Sequence, residues 1–252
     1  MAWTLDFDGT GNGTSGSISA IESIGDGICL KMRIEGQMIL DVTADMTAVL
    51  LHIGDGSITA EKVTIALDRD TSNQWRLRAF VDGGQVAQTA YSADANLTGS
   101  TFYVVFFYHD DGATPNGTIL KLFEDDGTEK ATGGNVTAQA PPTGAGTGIV
   151  MFGYGPTDGD RDYDGGAVGK IDGIAIYSAV LTGADRYSEP SSSDSDIAAY
   201  WSLTEGASTP TVDHVGAEDA DLTGHAWVED GLWEELGAAA DQSVLRVALR
   251  NV

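Results

Sequence analysis

Trp75-Arg76-Leu77-Arg78-Ala79-Phe80-Val81 is the stretch on which the fold turns. Its arginines fall on one face of an extended chain, and Trp75, Leu77, Ala79 and Val81 fall on the other. That period of two belongs to a half-buried β-strand. A second stretch, Thr101-Phe102-Tyr103-Val104-Val105-Phe106-Phe107-Tyr108, is apolar on both faces and predicts a central strand covered on two sides. Outward from these two lie further short runs rich in β-branched and aromatic residues. They are Trp3 to Phe7, Ser17 to Ile21, Ile28 to Ile34, Ala48 to Ile53, Val63 to Leu67 and Val86 to Tyr91. Beyond the central strand come Thr118 to Phe123, Gly148 to Tyr154, Gly169 to Tyr177 and Ile197 to Leu203. The runs are separated by turn signals in a chain with 33 glycines and only 6 prolines, the spacing of an all-β sandwich. Asp82-Gly83, Asp111-Gly112 and Asp126-Gly127 sit between strand-like runs, where Asp-Gly supplies the positive φ of tight hairpins. Helix is scarce: a turn or two over Thr182 to Tyr187 with Thr182 as N-cap, and a short segment within residues 228 to 240. The expected fold is all-β, an antiparallel two-sheet jelly-roll sandwich over residues 1–228, followed by a C-terminal extension or arm over 229–252.

Composition narrows the function. The 252 residues carry 13 Lys+Arg against 38 Asp+Glu, a net charge of −25, and the pI is about 4.1. Nucleic-acid binding needs clustered cations and is not expected; attraction to an anionic membrane is excluded on the same ground. No run of apolar residues is long enough for a transmembrane helix. Of the 38 acids, 27 are Asp, which suits turns and cation ligation better than helix surfaces. Cys29 is the single cysteine, so no internal disulfide forms and no cysteine-rich zinc site exists. Met1 to Asp6 has neither a basic nor an apolar leader segment, so no Sec-type signal is expected.

Lys170-Ile171-Asp172-Gly173-Ile174-Ala175-Ile176-Tyr177, followed by Leu181-Thr182, resembles the late strand of laminin-G-like, concanavalin-A-like jelly rolls. Thr101 to His109, Thr118 to Gly127 and Ile149 to Gly155 are similar to other strands of that family. Ala199-Tyr200-Trp201-Ser202-Leu203-Thr204-Glu205-Gly206, then Val212 to Gly216 and Asp221-Leu222-Thr223, resembles a block that usually opens such a domain. Here it comes late, as in phage and other virion-associated members. The resemblance implies the same sandwich, with Tyr177 and Trp201 in its core.

Retaining glucanases of this fold deliver their carboxylates from one strand in a Glu-x-Asp-x-x-Glu pattern; that spacing occurs at Glu124, Asp126 and Glu129 but straddles the Asp126-Gly127 turn signal, so no single strand delivers it, and the acids Glu229, Asp230, Glu234 and Glu235 have the wrong spacing. Gly-x-Ser-x-Gly, Walker and His-Glu-x-x-His motifs are absent too. His52, His109, His214 and His225 are scattered and read as structural or surface residues. No catalytic residues are assigned, and the protein is not expected to be an enzyme. Asp158, Asp160, Asp162 and Asp164 alternate before Gly165. Such an array of hard oxygen ligands is a candidate Ca²⁺ loop, although the bidentate Glu and flanking helices of an EF-hand are missing. A solvated acidic run is the alternative. The family resemblance implies a glycan site in which Tyr154, Tyr163 and Trp227 are the candidate aromatic platforms.

The expected function is therefore a non-enzymatic structural component of a virion, a capsid decoration or a tail or fibre protein. The alternative is a carbohydrate-binding adhesin or module, and a glycoside hydrolase is a third class. Expected partners are other virion subunits or further copies in a homo-oligomer, with a possible glycan. Expected localisation is the virion, with an extracellular site as the alternative. Ser243 to Val252, which carries Val244, Leu245, Val247, Leu249, Arg246 and Arg250, reads as an arm held by neighbouring subunits or as an added edge strand. If the Asp158–Asp164 loop holds Ca²⁺, chelator lowers the melting temperature and replacing Asp160 and Asp162 by Asn abolishes that response; a melting curve indifferent to chelator leaves a solvated acidic run.

Overall fold

The computed structural model describes residues 4–22, 27–42, 46–54, 63–81, 84–93, 97, 99–108, 118–135, 148–153, 165–166, 168–181, 183–206, 210–216 and 218–228. In chain order the strands are β1 (Thr4–Ser17), β2 (Ile28–Glu35), β3 (Met46–Gly54), β4 (Val63–Arg69) and β5 (Trp75–Val81). They continue as β6 (Gly84–Thr89), β7 (Thr101–Tyr108), β8 (Ile119–Glu124), β9 (Glu129–Asn135) and β10 (Ile149–Phe152). The last are β11 (Gly165–Gly166), β12 (Val168–Tyr177), β13 (Ile197–Trp201) and β14 (Ala220–Val228). Among the described residues, helix is limited to α1 (Ser19–Glu22), α2 (Gly36–Asp41) and a 3-10 turn at Gly183–Arg186. The all-β jelly-roll sandwich read from the sequence is the fold.

Strand order runs β13-β12-β2-β7-β8-β9-β6-β5-β4-β3-β10-β1-β14, and β1 pairs with β12 as well. The ladder therefore closes on itself. One layer holds β12, β2, β7 and β8, and the other holds β6, β5, β4, β3 and β10. At one margin β9 gives Glu129 to Gly133 to β8 and Gly133 to Asn135 to β6. At the other margin β1 gives Leu5 to Asp8 to β12 and Gly13 to Ser17 to β10. Closure of this kind leaves few unpaired strand edges.

Between the layers the inward side chains form one apolar core. Leu30, Met32, Phe102, Val104, Phe106 and Leu122 come from one layer; Leu51, Ile65, Trp75, Leu77, Val150 and Phe152 come from the other. The central strand β7 is covered on both faces, as its sequence predicts. Its outward Tyr103 and Val105 join Cys29, Phe123, Ala175, Tyr177 and Tyr200 in a second cluster, against which Leu181, Tyr187 and Ile197 pack. Chain following β12 thus seals this outer face. Two cations lie buried beneath it. Lys31 Nζ donates to the Asp185 carbonyl at 2.6 Å, and Arg33 pairs with Asp125 at 2.8 Å.

Local chemistry sets the departures from the sequence reading. Ser17 to Ile21 is not a strand: β1 ends at Ser17 and α1 follows. Ile18 and Ile21, three apart, are both buried, and Ser17 Oγ donates to Glu22 Oε1 at 2.7 Å. The Thr182 to Tyr187 helix is a 3-10 turn over Gly183–Arg186. Asp126-Gly127 does turn β8 into β9: Gly127 has φ +85, and Thr128 N–H donates to Asp126 Oδ1 at 2.8 Å. Residues 82–83 and 111–112 lie outside the described residues, as do 229–252, so the extension and arm remain expectations.

Burial pushes the Lys31 pKa from 10.5 down to about 8, opposed by the carboxylate of Asp194 and smaller contributions. A cation whose folded pKa lies below its unfolded value costs stability below the folded pKa, and that cost fades as pH rises toward the unfolded one. Wild-type protein therefore gains about 2 kcal/mol relative to Lys31→Met between about pH 7.5 and about pH 10, measured by urea unfolding. A gap that stays constant with pH contradicts this account.

Candidate functional site

The layer opposite the sealed face carries an outward surface of different chemistry. Strand alternation directs Trp75, Leu77, Ala79 and Val81 of β5 into the core and leaves Arg76 and Arg78 half-buried on the outside, as the sequence predicts. Register sets Arg76 beside Asp68 and Arg78 beside Ala66 on β4. On β6, Arg78 faces Gln88, while Phe80 faces Gln85.

A β-bulge decides what β6 contributes. Ala79 pairs with Ala87 but Phe80 pairs with Gln85, so Val86 is an extra residue in the ladder. Val86 and Ala87 are both core residues, and Gln85 and Gln88, three apart, both sit half-buried beside the arginines. A regular strand sends positions three apart to opposite faces; a bulge re-aims them. Tyr91 is brought in by a separate device. Trp75 and Ser92 exchange backbone hydrogen bonds at 2.9 and 2.8 Å, and Trp75 Nε1 donates to the Ala93 carbonyl at 3.2 Å. The chain after β6 is thereby tied alongside the start of β5.

These groups form one hydrogen-bonded surface. Arg76 Nε donates to Asp68 Oδ2 at 2.5 Å and its Nη1 to Gln88 Oε1 at 2.8 Å. The Arg76 guanidinium lies 4.3 Å from the centre of the Tyr91 ring, and Tyr91 Oη donates to Asp68 Oδ2 at 3.2 Å. Burial, then the Asp68 carboxylate, raises the Tyr91 pKa, so the phenol stays a donor. Arg78 Nε donates to Gln85 Oε1 at 2.8 Å, its guanidinium lies 4.8 Å from the Phe80 ring centre, and Gln85 Nε2 donates to Gln88 Oε1 at 3.1 Å. Tyr91 is 38% exposed. Toward β3 the same face closes over, with His52 and Thr64 buried and 2.9 Å apart.

Chemically this is a bed of planar polar groups with one exposed aromatic ring. Guanidinium, amide and carboxylate groups held by one another offer fixed donors and acceptors to a polyhydroxylated ligand, and a ring gives an apolar platform. Of the residues singled out from sequence as glycan or metal ligands, the structure describes Trp227. Tyr154, Tyr163, Asp158, Asp160, Asp162 and Asp164 lie outside the described residues. Trp227 lies in β14, opposite Leu5 of β1. Among the described residues, no group of three or more His, Cys, Asp or Glu is placed to hold a metal ion. Asp68, Gln85, Gln88 and Tyr91 were not found by sequence reasoning, although the one-faced arginines were.

No family model matches the chain, and no curated protein matches it. Among solved structures it is similar to a candidate carbohydrate-binding protein from Bacteroides ovatus. Identity is 12% and the TM-score 0.55, over 90% of this chain and 60% of that one. The chain thus spans 60% of that protein's length, and the likeness shows a shared fold. Weaker likenesses are to the heptameric SAP-like pentraxin of Limulus polyphemus and to tailspike protein 2 of bacteriophage CBA120. The pentraxin gives 11% identity and a TM-score of 0.46 over 88% of this chain and 95% of that one. The tailspike's enzymatically active domain gives 15% and 0.43 over 74% and 30%.

The two arginines should behave differently when removed. Arg76→Ala strands a largely buried Asp68 carboxylate and should cost about 2 kcal/mol. Arg78→Ala gives up one hydrogen bond, a ring contact with Phe80 and a 3.9 Å approach to an Asp68 that still keeps Arg76, and should cost under about 1 kcal/mol. Urea unfolding of both variants checks this; equal losses would mean that the two side chains are equally structural.

Proposed function

We propose that the protein is a non-enzymatic carbohydrate-binding module whose ligand lies on the outer face of β4, β5 and β6. The observation that carries this reading is the bulge at Val86, which places Gln85 and Gln88 beside Arg76, Arg78 and the exposed Tyr91 ring. Sugar recognition needs hydroxyl-matching donors and acceptors fixed in place before the ligand arrives, because ordering them on binding consumes affinity. Here the groups already hold one another.

The setting proposed for the module is a virion, as a decoration, tail or fibre subunit assembled with its own copies; an extracellular adhesin is the alternative. Support for the virion is the late Ala199–Gly206 block and the phage-associated resemblance it carries. The Ca²⁺ loop at Asp158 to Asp164 and the arm at Ser243 to Val252 are part of the same proposal.

An array of immobilised glycans tests the binding role. The wild-type chain should bind a subset, and Gln85→Ala/Gln88→Ala/Tyr91→Ala should lose at least about tenfold in affinity while keeping its β-type circular dichroism, as expected for one to two lost contacts at ~1 kcal/mol each. Absence of any glycan binding, or undiminished binding by the triple variant, contradicts the proposal.

A further inference from the structure

We infer that the ligand of this face carries a carboxylate, and that Arg78 is the side chain that receives it. The inference rests on the carbohydrate-binding reading and names the class of sugar.

Arg76 and Arg78 stand two residues apart on the same face, but their donors are used differently. Arg76 is committed to Asp68 and Gln88 and is stacked on Tyr91. Arg78 is held by its Nε bond to Gln85 and by the Phe80 ring beneath it. Its Nη1 stands 3.9 Å from Asp68 Oδ2, beyond hydrogen-bond reach. Both Nη groups of Arg78 are therefore without a hydrogen-bond acceptor among the described residues, on a side chain that is 22% exposed. A guanidinium whose plane is fixed and whose outer edge is unfilled is a fork for a planar anion, and a carboxylate fits it with two parallel bonds.

Local charge permits this. Arg76 and Arg78 face Asp68 across this surface, and Asp70 also acts on the Tyr91 phenol, so the two cations are matched by two carboxylates, 2 − 2 = 0, in a chain of net charge −25. Arg69, next to Asp68, turns away and donates to the carbonyls of Ile39 and Leu40 at 3.2 and 2.8 Å. Asp70 is occupied in the β4–β5 turn by the Ser72 and Gln74 N–H groups. Charges further than about 8 Å away are largely screened at physiological ionic strength. The nearest groups therefore set the preference, and this face can accept an acidic sugar although the chain as a whole is acidic. Gln85 and Gln88, whose amides flank the fork, are placed to meet hydroxyls on the same sugar ring.

Calorimetric titration of the full chain with oligosaccharides bearing uronic or ulosonic acids, each beside its methyl ester, tests this. The acid form should bind at least tenfold more tightly than its ester, and more weakly as salt rises. Arg78→Gln should bring the acid-to-ester ratio down to about one, whatever it does to ester binding itself. Arg78→Lys, which keeps the charge but not the fork, should recover only part of it. Equal binding of acid and ester, or Arg78→Gln affecting both alike, overturns the carboxylate assignment and leaves the carbohydrate-binding reading standing. Preference for a sulfated neutral sugar over every carboxylated one also overturns the assignment. Binding of neither series overturns both.

Discussion

The strand β1 is hydrogen-bonded into both layers of the sandwich at one margin, and the rest of the architecture depends on it. Its first half lies against β12 and its second half against β10, while β14 runs along both. The crossing falls between Phe7 and Asn12, where the pairing with β14 shifts register, in a stretch that reads Asp8-Gly9-Thr10-Gly11-Asn12-Gly13. The backbone runs hard against a core ring at its end: a Cβ on Gly13 would stand 2.2 Å from the Phe152 ring. A strand made of larger residues could not pass so near the inner aromatic side chains. Because β1 joins the layers at one margin and β9 at the other, each layer has a fixed inner face and a fixed outer face.

The two outer faces then take opposite fates. On one, Tyr103, Tyr177 and Tyr200 are buried under chain that follows β12. Burial raises the pKa of all three phenols and pushes the Cys29 thiol up to about 11. These groups are inert because they are covered. On the other face, no comparable apolar cluster forms over β5 and β6 among the described residues, and polar planar groups meet solvent instead. The same alternation that builds the core thus supplies, on its reverse side, the surface offered to a ligand.

Much of this was legible in the sequence. Alternation marks β5, a doubly apolar run marks β7, and Asp-Gly marks the β8–β9 turn, because each is a local consequence of burial or of backbone sterics. What escaped depends on long-range pairing. Glu129-Lys130-Ala131-Thr132-Gly133-Gly134-Asn135 has little strand character, yet β9 forms because two layer edges need a bridge. Gly133 is required there: a Cβ would stand 2.4 Å from the Gln88 carbonyl oxygen. β14 owes its length to β1. At the site, the arginines were visible as a one-faced pair, but Gln85 and Gln88 were not, because a period of three in a strand has meaning only once the bulge at Val86 is known.

The central claim is that ligand meets the outer face of β4, β5 and β6 and not the covered face of the opposite layer. Backbone amide NMR of the isotopically labelled chain, followed during titration with the oligosaccharide that binds best, tests it directly. The account predicts shifts concentrated at Asp68, Arg76 to Phe80 and Gly84 to Tyr91, with residues 175 to 200 unmoved. Shifts centred on Tyr177 to Asp196, with the β5 and β6 amides silent, would contradict it.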